Sequence, residues 1–192
     1  MNNPAPVVGT PRITPASPPY EAAAAEAFAK VMPAGMEPLQ LFRTMARSPR
    51  VLQKMFAGSL LDKGSLSLRT REILILRTTA ACGSEYEWGV HVSMFAGRAN
   101  LTETEVAATL AFPPDAASWP EPELLLLQLA DDLHQHSRVS DPVWNGLAQH
   151  FSAEQLLEML ALIGYYHTIS FMTNAVRLAP ETFAARFEQK QG

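Results

Sequence analysis

The residue types best suited to chemistry lie on two adjacent segments near the middle of the chain. His91 follows Glu87 by four positions, which places both side chains on one face of a helix. Glu72 lies on the preceding, strongly apolar segment, and a reversal at residues 82–83 would bring its carboxyl group to that face. Apolar surroundings raise the pKa of a carboxyl group, and histidine titrates near neutral pH. We therefore expect Glu72, Glu87 and His91 to form a site for general acid–base catalysis.

Ser84 is predicted to begin the helix that carries Glu87 and His91. Its spacing of three residues from Glu87 is that of a capping box, so Glu87 has a structural role as the alternative to catalysis. Because helix N-termini favour anions, we also expect Ser84 to contact substrate. The corresponding alternatives are a core histidine for His91 and pairing with a neighbouring arginine for Glu72.

Residues 71–91 resemble the carboxymuconolactone decarboxylase family, which also contains the alkylhydroperoxidase D proteins. The redox branch of that family has a glutamate followed, twelve residues later, by a C-x-x-C-x-x-x-H motif. The corresponding positions here are Glu72, Ser84, Glu87 and His91, so both thiols of the redox motif are missing. The decarboxylase branch, which typically has a glutamate at the position of Glu87, is the more similar of the two.

The resemblance covers residues 39–110, including AGRANLTETEV, and continues more loosely to the apolar segment near the C-terminus. It implies an all-α, AhpD-like helical bundle built around an antiparallel helix pair and assembled as a homo-oligomer, as a trimer or hexamer with a dimer as the alternative. It also implies decarboxylation of a small carboxylated lactone or unsaturated acid without a cofactor. In this scheme His91 donates the proton, Glu87 orients His91, and Glu72 acts as a base or second acid.

Two further residues are candidates for substrate binding. Arg77 could hold a substrate carboxylate through two hydrogen bonds, with a structural role as the alternative. His167, in the triplet Tyr165-Tyr166-His167, lies in a very apolar segment that could reach the pocket from behind.

Two other functions are alternatives to a decarboxylase. An alkylhydroperoxidase or peroxiredoxin-like antioxidant is one alternative, and a degenerate, non-enzymatic family member that binds a small ligand is the other. Cys82 is the only cysteine, which excludes both an intramolecular disulfide and a two-thiol redox cycle within one chain.

A metal site is not expected from the sequence. His134 and His136 lie close to two aspartates, but residues two apart on a helix point about 200° away from each other. A solvated helix face is the better interpretation of this segment.

Composition narrows the class of protein. A chain of 192 residues with 47% hydrophobic content can bury one sizeable core. The net charge of −4 and the pI near 5.7 argue against nucleic acid or a membrane surface as a partner. A small-molecule substrate as partner is what the resemblance implies. No apolar stretch is long enough to span a bilayer, and the lone, apolar-flanked thiol suits a reducing cytoplasm.

The pattern of apolar residues, prolines and caps predicts an all-α protein. Residues 1–20 hold six of the fifteen prolines and are expected to form an arm that is disordered or wraps a neighbouring subunit. A single domain is expected over residues 21–192. Capping boxes are also predicted at Thr102–Glu105 and Ser152–Gln155. The predicted helices span residues 21–31, 38–46, 50–61, 68–81, 85–97, 106–111, 123–136, 141–151 and 152–178.

Overall fold

The computed structural model describes residues 10–187, and within this range the regular structure is entirely helical, as predicted. The α-helices are α1 (Ala22–Val31), α2 (Gln40–Met45), α3 (Pro49–Ala57), α4 (Leu68–Ala81), α5 (Glu85–His91), α6 (Glu103–Ala108), α7 (Glu121–His136), α8 (Asp141–His150) and α9 (Ala153–Val176). A short π-helix (Val92–Ala96) continues α5, and a single 3₁₀ turn (Ala116–Ser118) precedes α7. None of these helices is both long and apolar enough to cross a bilayer.

Helix α4 lies at the centre of the fold. It packs against α5, α7 and α9, and every residue from Glu72 to Ala80 is buried. A helix that is apolar around most of its circumference must be covered on all sides, which explains this central position. The helix begins at Ser67, whose hydroxyl accepts a hydrogen bond from the amide of Thr70.

The chain reverses after α4 at Gly83. This residue has a φ of 63°, a left-handed conformation that glycine adopts without a steric penalty. The amides of Gly83 and Ser84 donate to the carbonyls of Ala80 and Thr79, in the pattern of a Schellman motif. The turn therefore sets α5 directly against α4, as the sequence predicted, and brings His91 close to Glu72.

The predicted helix over residues 85–97 has a change of geometry at its centre. The α-helix ends at His91, and the π-helix takes up the next five residues. Short π-helical turns are rare, and many of them occur at functional sites. Here the change follows directly on the residue that the sequence marked as catalytic.

The described part of the proline-rich arm packs on its own chain. The amide of Ala16 donates to the carbonyl of Arg43, and the Arg43 side chain donates back to the carbonyl of Ala16. The amide of Arg12 donates to the carbonyl of Val176 at the end of α9. Extended proline-rich backbone leaves its carbonyls free, and arginine side chains satisfy them here. Residues 10–20 thus pack on their own chain, the first nine residues lie outside the described range, and a wrapping contact with a neighbouring subunit stays a prediction.

The hydrophobic core forms two clusters. The larger surrounds α4 and includes the buried faces of α7, α8 and α9. The smaller holds α1, α2 and α3 against α5 and α9. Tyr165 packs against both clusters. Helices α1–α3 therefore form a layer over the helices that carry the predicted acid–base residues.

Candidate active site

His91 is held between a carboxylate and a phenol where α4, α5 and α9 meet. Its Nδ1 lies 2.7 Å from Oε2 of Glu72, and its Nε2 lies 3.0 Å from the hydroxyl of Tyr166. All three side chains are buried. An ionised carboxylate only accepts hydrogen bonds, so Glu72 fixes a proton on Nδ1 and leaves Nε2 of the neutral imidazole to accept from Tyr166.

Glu72 has partners for both of its carboxylate oxygens. Its second oxygen, Oε1, accepts a hydrogen bond of 3.1 Å from Nε of Arg71. The side chain of Glu72 is 1% exposed, so a charge here needs both partners to offset its desolvation. Glu72 does not line the cavity described below. Its contacts thus favour a role in positioning His91.

Glu87 differs from Glu72 and His91 because one of its carboxylate oxygens has no hydrogen-bond partner among the described residues. Its Oε2 lies 3.9 Å from Nε2 of His91, beyond direct hydrogen-bonding distance, and its Oε1 is buried with no hydrogen-bond partner among the described residues. Burial raises the pKa of Glu87 to about 7, with His91 lowering it and Glu181 raising it further. The carboxyl group therefore exchanges its proton near neutral pH.

A cavity of about 560 Å³ opens beside Glu87 and His91. Its walls come from the layer α1–α3 on one side and from α5, the π-helix and α9 on the other. Aromatic and aliphatic side chains dominate the lining, and Lys30 supplies the one cationic side chain besides the histidine in the part of the chain that the structure describes. The apolar lining residues include Leu39, Leu41, Phe42, Phe56, Val90, Met94, Phe95 and Ile169. A large apolar cavity with a few polar groups at one end is typical of a small-molecule site.

Arg77 does not contact this cavity, contrary to its predicted role in substrate binding. Its guanidinium forms two hydrogen bonds of 2.7 and 2.6 Å to the carboxylate of Asp131 and also donates to the carbonyl of Thr109. The ring of Phe112 covers it at 3.6 Å. Arg77 is fully buried, and these contacts leave it structural, because they tie α4 to α7 and to the connection after α6.

Ser84 also lies away from the cavity. Its hydroxyl is 2.9 Å from that of Thr173 on α9, and it makes no capping hydrogen bond to α5. The predicted capping box with Glu87 is therefore absent, since Glu87 faces the cavity instead. Of the other two predicted boxes, both are present, at Thr102–Glu105 and Ser152–Gln155.

His167 points to a different side of α9 from the cavity. Its Nδ1 donates to the carbonyl of Ile163, and its Nε2 lies 3.0 Å from Nδ1 of His134. The preceding residue, Tyr166, contacts His91 in its place. Helical periodicity indicates this, because Tyr166 continues the buried face of Met159, Leu162 and Ile169, whereas His167 is turned about 100° away from Tyr166.

Cys82 is placed poorly for thiol chemistry in the cavity. It does not line the cavity, and burial raises the pKa of its thiol to about 11. A nucleophilic cysteine requires the thiolate, which this environment disfavours.

Comparison with known proteins identifies one family that part of the chain resembles. The profile of the carboxymuconolactone decarboxylase family matches residues 47–131. No curated protein sequence matches significantly.

Solved structures share the fold at low sequence identity. An uncharacterized peroxidase-related protein from Silicibacter sp. TM1040 is 13% identical, with 95% of this chain and 98% of that chain covered and a TM-score of 0.75. An alkylhydroperoxidase AhpD core protein from Ralstonia eutropha JMP134 is 18% identical, with 88% and 93% covered and a TM-score of 0.72. The debrominase Bmp8 is also 18% identical, with 89% and 92% covered and a TM-score of 0.71. These similarities establish the AhpD-like fold.

Proposed function

We propose that this chain, which belongs to the carboxymuconolactone decarboxylase family through residues 47–131, is an enzyme that decarboxylates a small carboxylated lactone or unsaturated acid by acid–base chemistry without a cofactor. The observation that carries the proposal is the Glu87 carboxyl group. It has an unpaired oxygen on the wall of an apolar cavity, and it lies beside a histidine whose other contacts are already fixed.

The proposed reaction breaks one carbon–carbon bond. The electron pair of the bond to the departing carboxylate moves into the conjugated carbonyl of the substrate, and CO2 leaves. One proton then adds to the carbon atom that lost the carboxylate. In total, the substrate carboxylate and one proton give CO2 and a product that is one carbon shorter. The substrate supplies its own electron sink, and the protein supplies the proton and a water-poor environment.

Glu87 is the proposed proton donor. The sequence favoured His91 for this role, but Nε2 of His91 is engaged by Tyr166, whereas the Glu87 carboxyl group lacks a partner and lines the cavity. After transfer, the Glu87 carboxylate regains a proton from solvent, and the His91 ring, with its Nε2 3.9 Å away, lines the cavity beside it. Glu72 is then a positioning residue, because it acts through His91.

The cavity also supports a particular type of substrate. Its mainly apolar and aromatic walls suit a compact, unsaturated carbon skeleton, and they weaken the solvation of a carboxylate that is to be lost. Lys30 lies at the opening, with its side chain 71% exposed. Its ammonium group pairs with Glu26 at 2.7 Å, and exchange of this exposed partner would let it hold a second carboxylate that stays on the product.

Turnover of defined acids tests the proposal. The purified protein is incubated with γ-carboxymuconolactone and related unsaturated acids, and CO2 release is followed with the ultraviolet change. We expect turnover by the wild type, and a loss of at least about 10²-fold in the variants Glu87→Gln and His91→Asn. Cys82→Ser, outside the cavity, is the matched control and should retain activity. Absence of turnover with every acid, or full activity in Glu87→Gln, contradicts the proposal.

An antioxidant function is the alternative, and a peroxide-reduction assay of the same protein and variants tests it. Peroxide reduction that depends on an added thiol and is lost in Cys82→Ser would favour it over decarboxylation. The lone thiol with its raised pKa argues against that outcome. Convergence of Glu72, Glu87 and His91 likewise supports an enzyme over a degenerate family member that only binds a ligand.

A further inference from the structure

Three metal-ligating side chains from three different helices meet outside the cavity. Cys82 is at the C-terminal end of α4, His134 is in the last turn of α7, and His167 is in the middle of α9. One ligand atom from each lies within 4.8 Å of the other two. None of the three lines the cavity of the candidate active site.

The spacing of these atoms approaches that of a coordination shell. Sγ of Cys82 is 3.7 Å from Nδ1 of His134, and the same Nδ1 is 3.0 Å from Nε2 of His167. A tetrahedral Zn²⁺ with ligand distances of about 2.0–2.3 Å holds its nitrogen and sulfur ligands about 3.3–3.6 Å apart. Two of the observed separations lie on either side of this range and the third is within 4.8 Å, so side-chain rotation is needed to bring all three atoms to one ion.

Hydrogen bonds around His167 and at the backbone of Cys82 position two of the three candidate ligands. Nδ1 of His167 donates to the carbonyl of Ile163, so Nε2 carries the lone pair, which faces Nδ1 of His134 in this structure and would bind a metal once the His134 ring turns. The side-chain amide of Asn174 donates to the carbonyl of Cys82, which ties the end of α4 to α9. Two of the three ligands are therefore held on rigid elements by hydrogen bonds of their own.

His134 is the adjustable member. It is exposed, and its ring lies within 29° of the plane of the His167 ring, with the ring centroids 5.3 Å apart. For both lone pairs to face one ion, the His134 ring must turn, and its exposed position permits this. The sequence did not predict a metal site because it paired His134 with His136 on one helix, whereas these ligands come from three.

We propose that Cys82, His134 and His167 form a binding site for a divalent transition metal of the Zn²⁺ class. One thiolate and two imidazoles are the donors that Zn²⁺ prefers, and softer or harder ions fit this set less well. Binding replaces the proton of the Cys82 thiol, so one proton is released for each ion bound. A water molecule completes the tetrahedron on the exposed side.

The single cysteine makes a direct test simple. Untagged, reduced protein is titrated with Co²⁺, and the thiolate-to-cobalt charge-transfer absorption is recorded in the near ultraviolet. In parallel, alkylation of Cys82 is timed with and without one equivalent of Zn²⁺. We expect one Co²⁺ bound per chain with a thiolate band, and alkylation slowed at least about tenfold by Zn²⁺ because a coordinated thiolate is shielded.

Matched variants separate a built site from adventitious binding. His167→Gln should weaken Co²⁺ binding by at least about tenfold and restore the alkylation rate in the presence of Zn²⁺. His136→Gln, an exposed histidine outside the trio, should leave both unchanged. Circular dichroism confirms that each variant is folded. An unchanged alkylation rate with Zn²⁺ in the wild type, or equal effects of the two substitutions, overturns the proposal, whatever the result of the decarboxylation assay.

Discussion

The Glu72 carboxylate and the His91 imidazole are joined at 2.7 Å across the turn between α4 and α5. Nineteen residues of sequence separate them, and the left-handed Gly83 brings them together. His91 lines the cavity and Glu72 does not, so we expect Glu72 to orient His91 and His91 to face the bound molecule.

Substitution of Glu72 should affect the catalytic rate more than substrate binding. In Glu72→Gln the amide no longer provides a carboxylate for Nδ1, so His91 loses its fixed tautomer. We expect kcat for the acid that the protein turns over to fall by at least about 10²-fold with KM nearly unchanged. Steady-state kinetics measure both constants. Glu103→Gln, at an exposed position, is the control, and an equal fall in that variant would contradict the positioning role.

The raised pKa of Glu87 predicts how stability depends on pH. Between the ordinary value of 4.5 and the folded value of about 7, the folded state binds more protons than the unfolded state. The stabilisation is therefore complete below about pH 4.5 and is lost as the pH rises through 7. Its full size is about 3 kcal/mol at 1.36 kcal/mol for each pKa unit.

Glu87→Gln should remove this pH dependence, because a neutral amide does not titrate. Relative to the wild type, the variant should gain stability as the pH rises from 5 to 8, as measured by urea unfolding at each pH. Parallel pH profiles for the two proteins would contradict the assignment. In the wild type, decarboxylation should decline above about pH 7 as the donor loses its proton.

Arg77 should be required for stability and not for substrate binding. Arg77→Met leaves the Asp131 carboxylate and the carbonyl of Thr109 without their buried donor. We expect the free energy of unfolding to fall by about 3–5 kcal/mol, with KM unchanged wherever the variant remains folded. Arg138→Ala, at an exposed position, should change stability by less than about 0.5 kcal/mol. A raised KM with normal stability in Arg77→Met would restore the substrate role.

Gly89 should not tolerate a side chain. A Cβ at this position of α5 would lie 2.1 Å from the carbonyl oxygen of Ala185, and the amide of Ala185 donates to the carbonyl of Gly89. Gly89→Ala should therefore displace the C-terminal segment and lower the free energy of unfolding by about 1–3 kcal/mol. Gly164→Ala, with open space around its Cβ in α9, should instead stabilise by about 0.5–1 kcal/mol. Thermal unfolding of both variants gives the comparison, and equal effects would argue against the close contact.

The central helix was predictable to the residue because its signals are local. Residues 68–81 combine an apolar sequence with a serine cap at one end and a glycine turn at the other, and α4 spans the same range. The third helix was predicted to reach residue 61, but it ends at Ala57, before Gly58. The predicted positions of helix ends were thus less accurate where the local signals are weaker.

The acid–base group was predictable from spacing, but its neighbours were not. Glu87 and His91 share a face because four residues nearly complete a helical turn. Arg77 follows Glu72 by five positions, about 140° around α4, which directs it towards α7. Ser84 binds Thr173, a residue 89 positions away, and no local pattern reveals such a contact.

The cavity wall formed by the end of α1, the connection to α2 and α2 itself lies before residue 47, where the family match begins. Glu72, Glu87 and His91 lie inside the match. Part of the surface that would shape a bound molecule therefore lies outside the stretch that carries the proposed acid–base residues. A relative that exchanged residues 30–42 would accept a differently shaped molecule and still deliver its proton from the same carboxyl group.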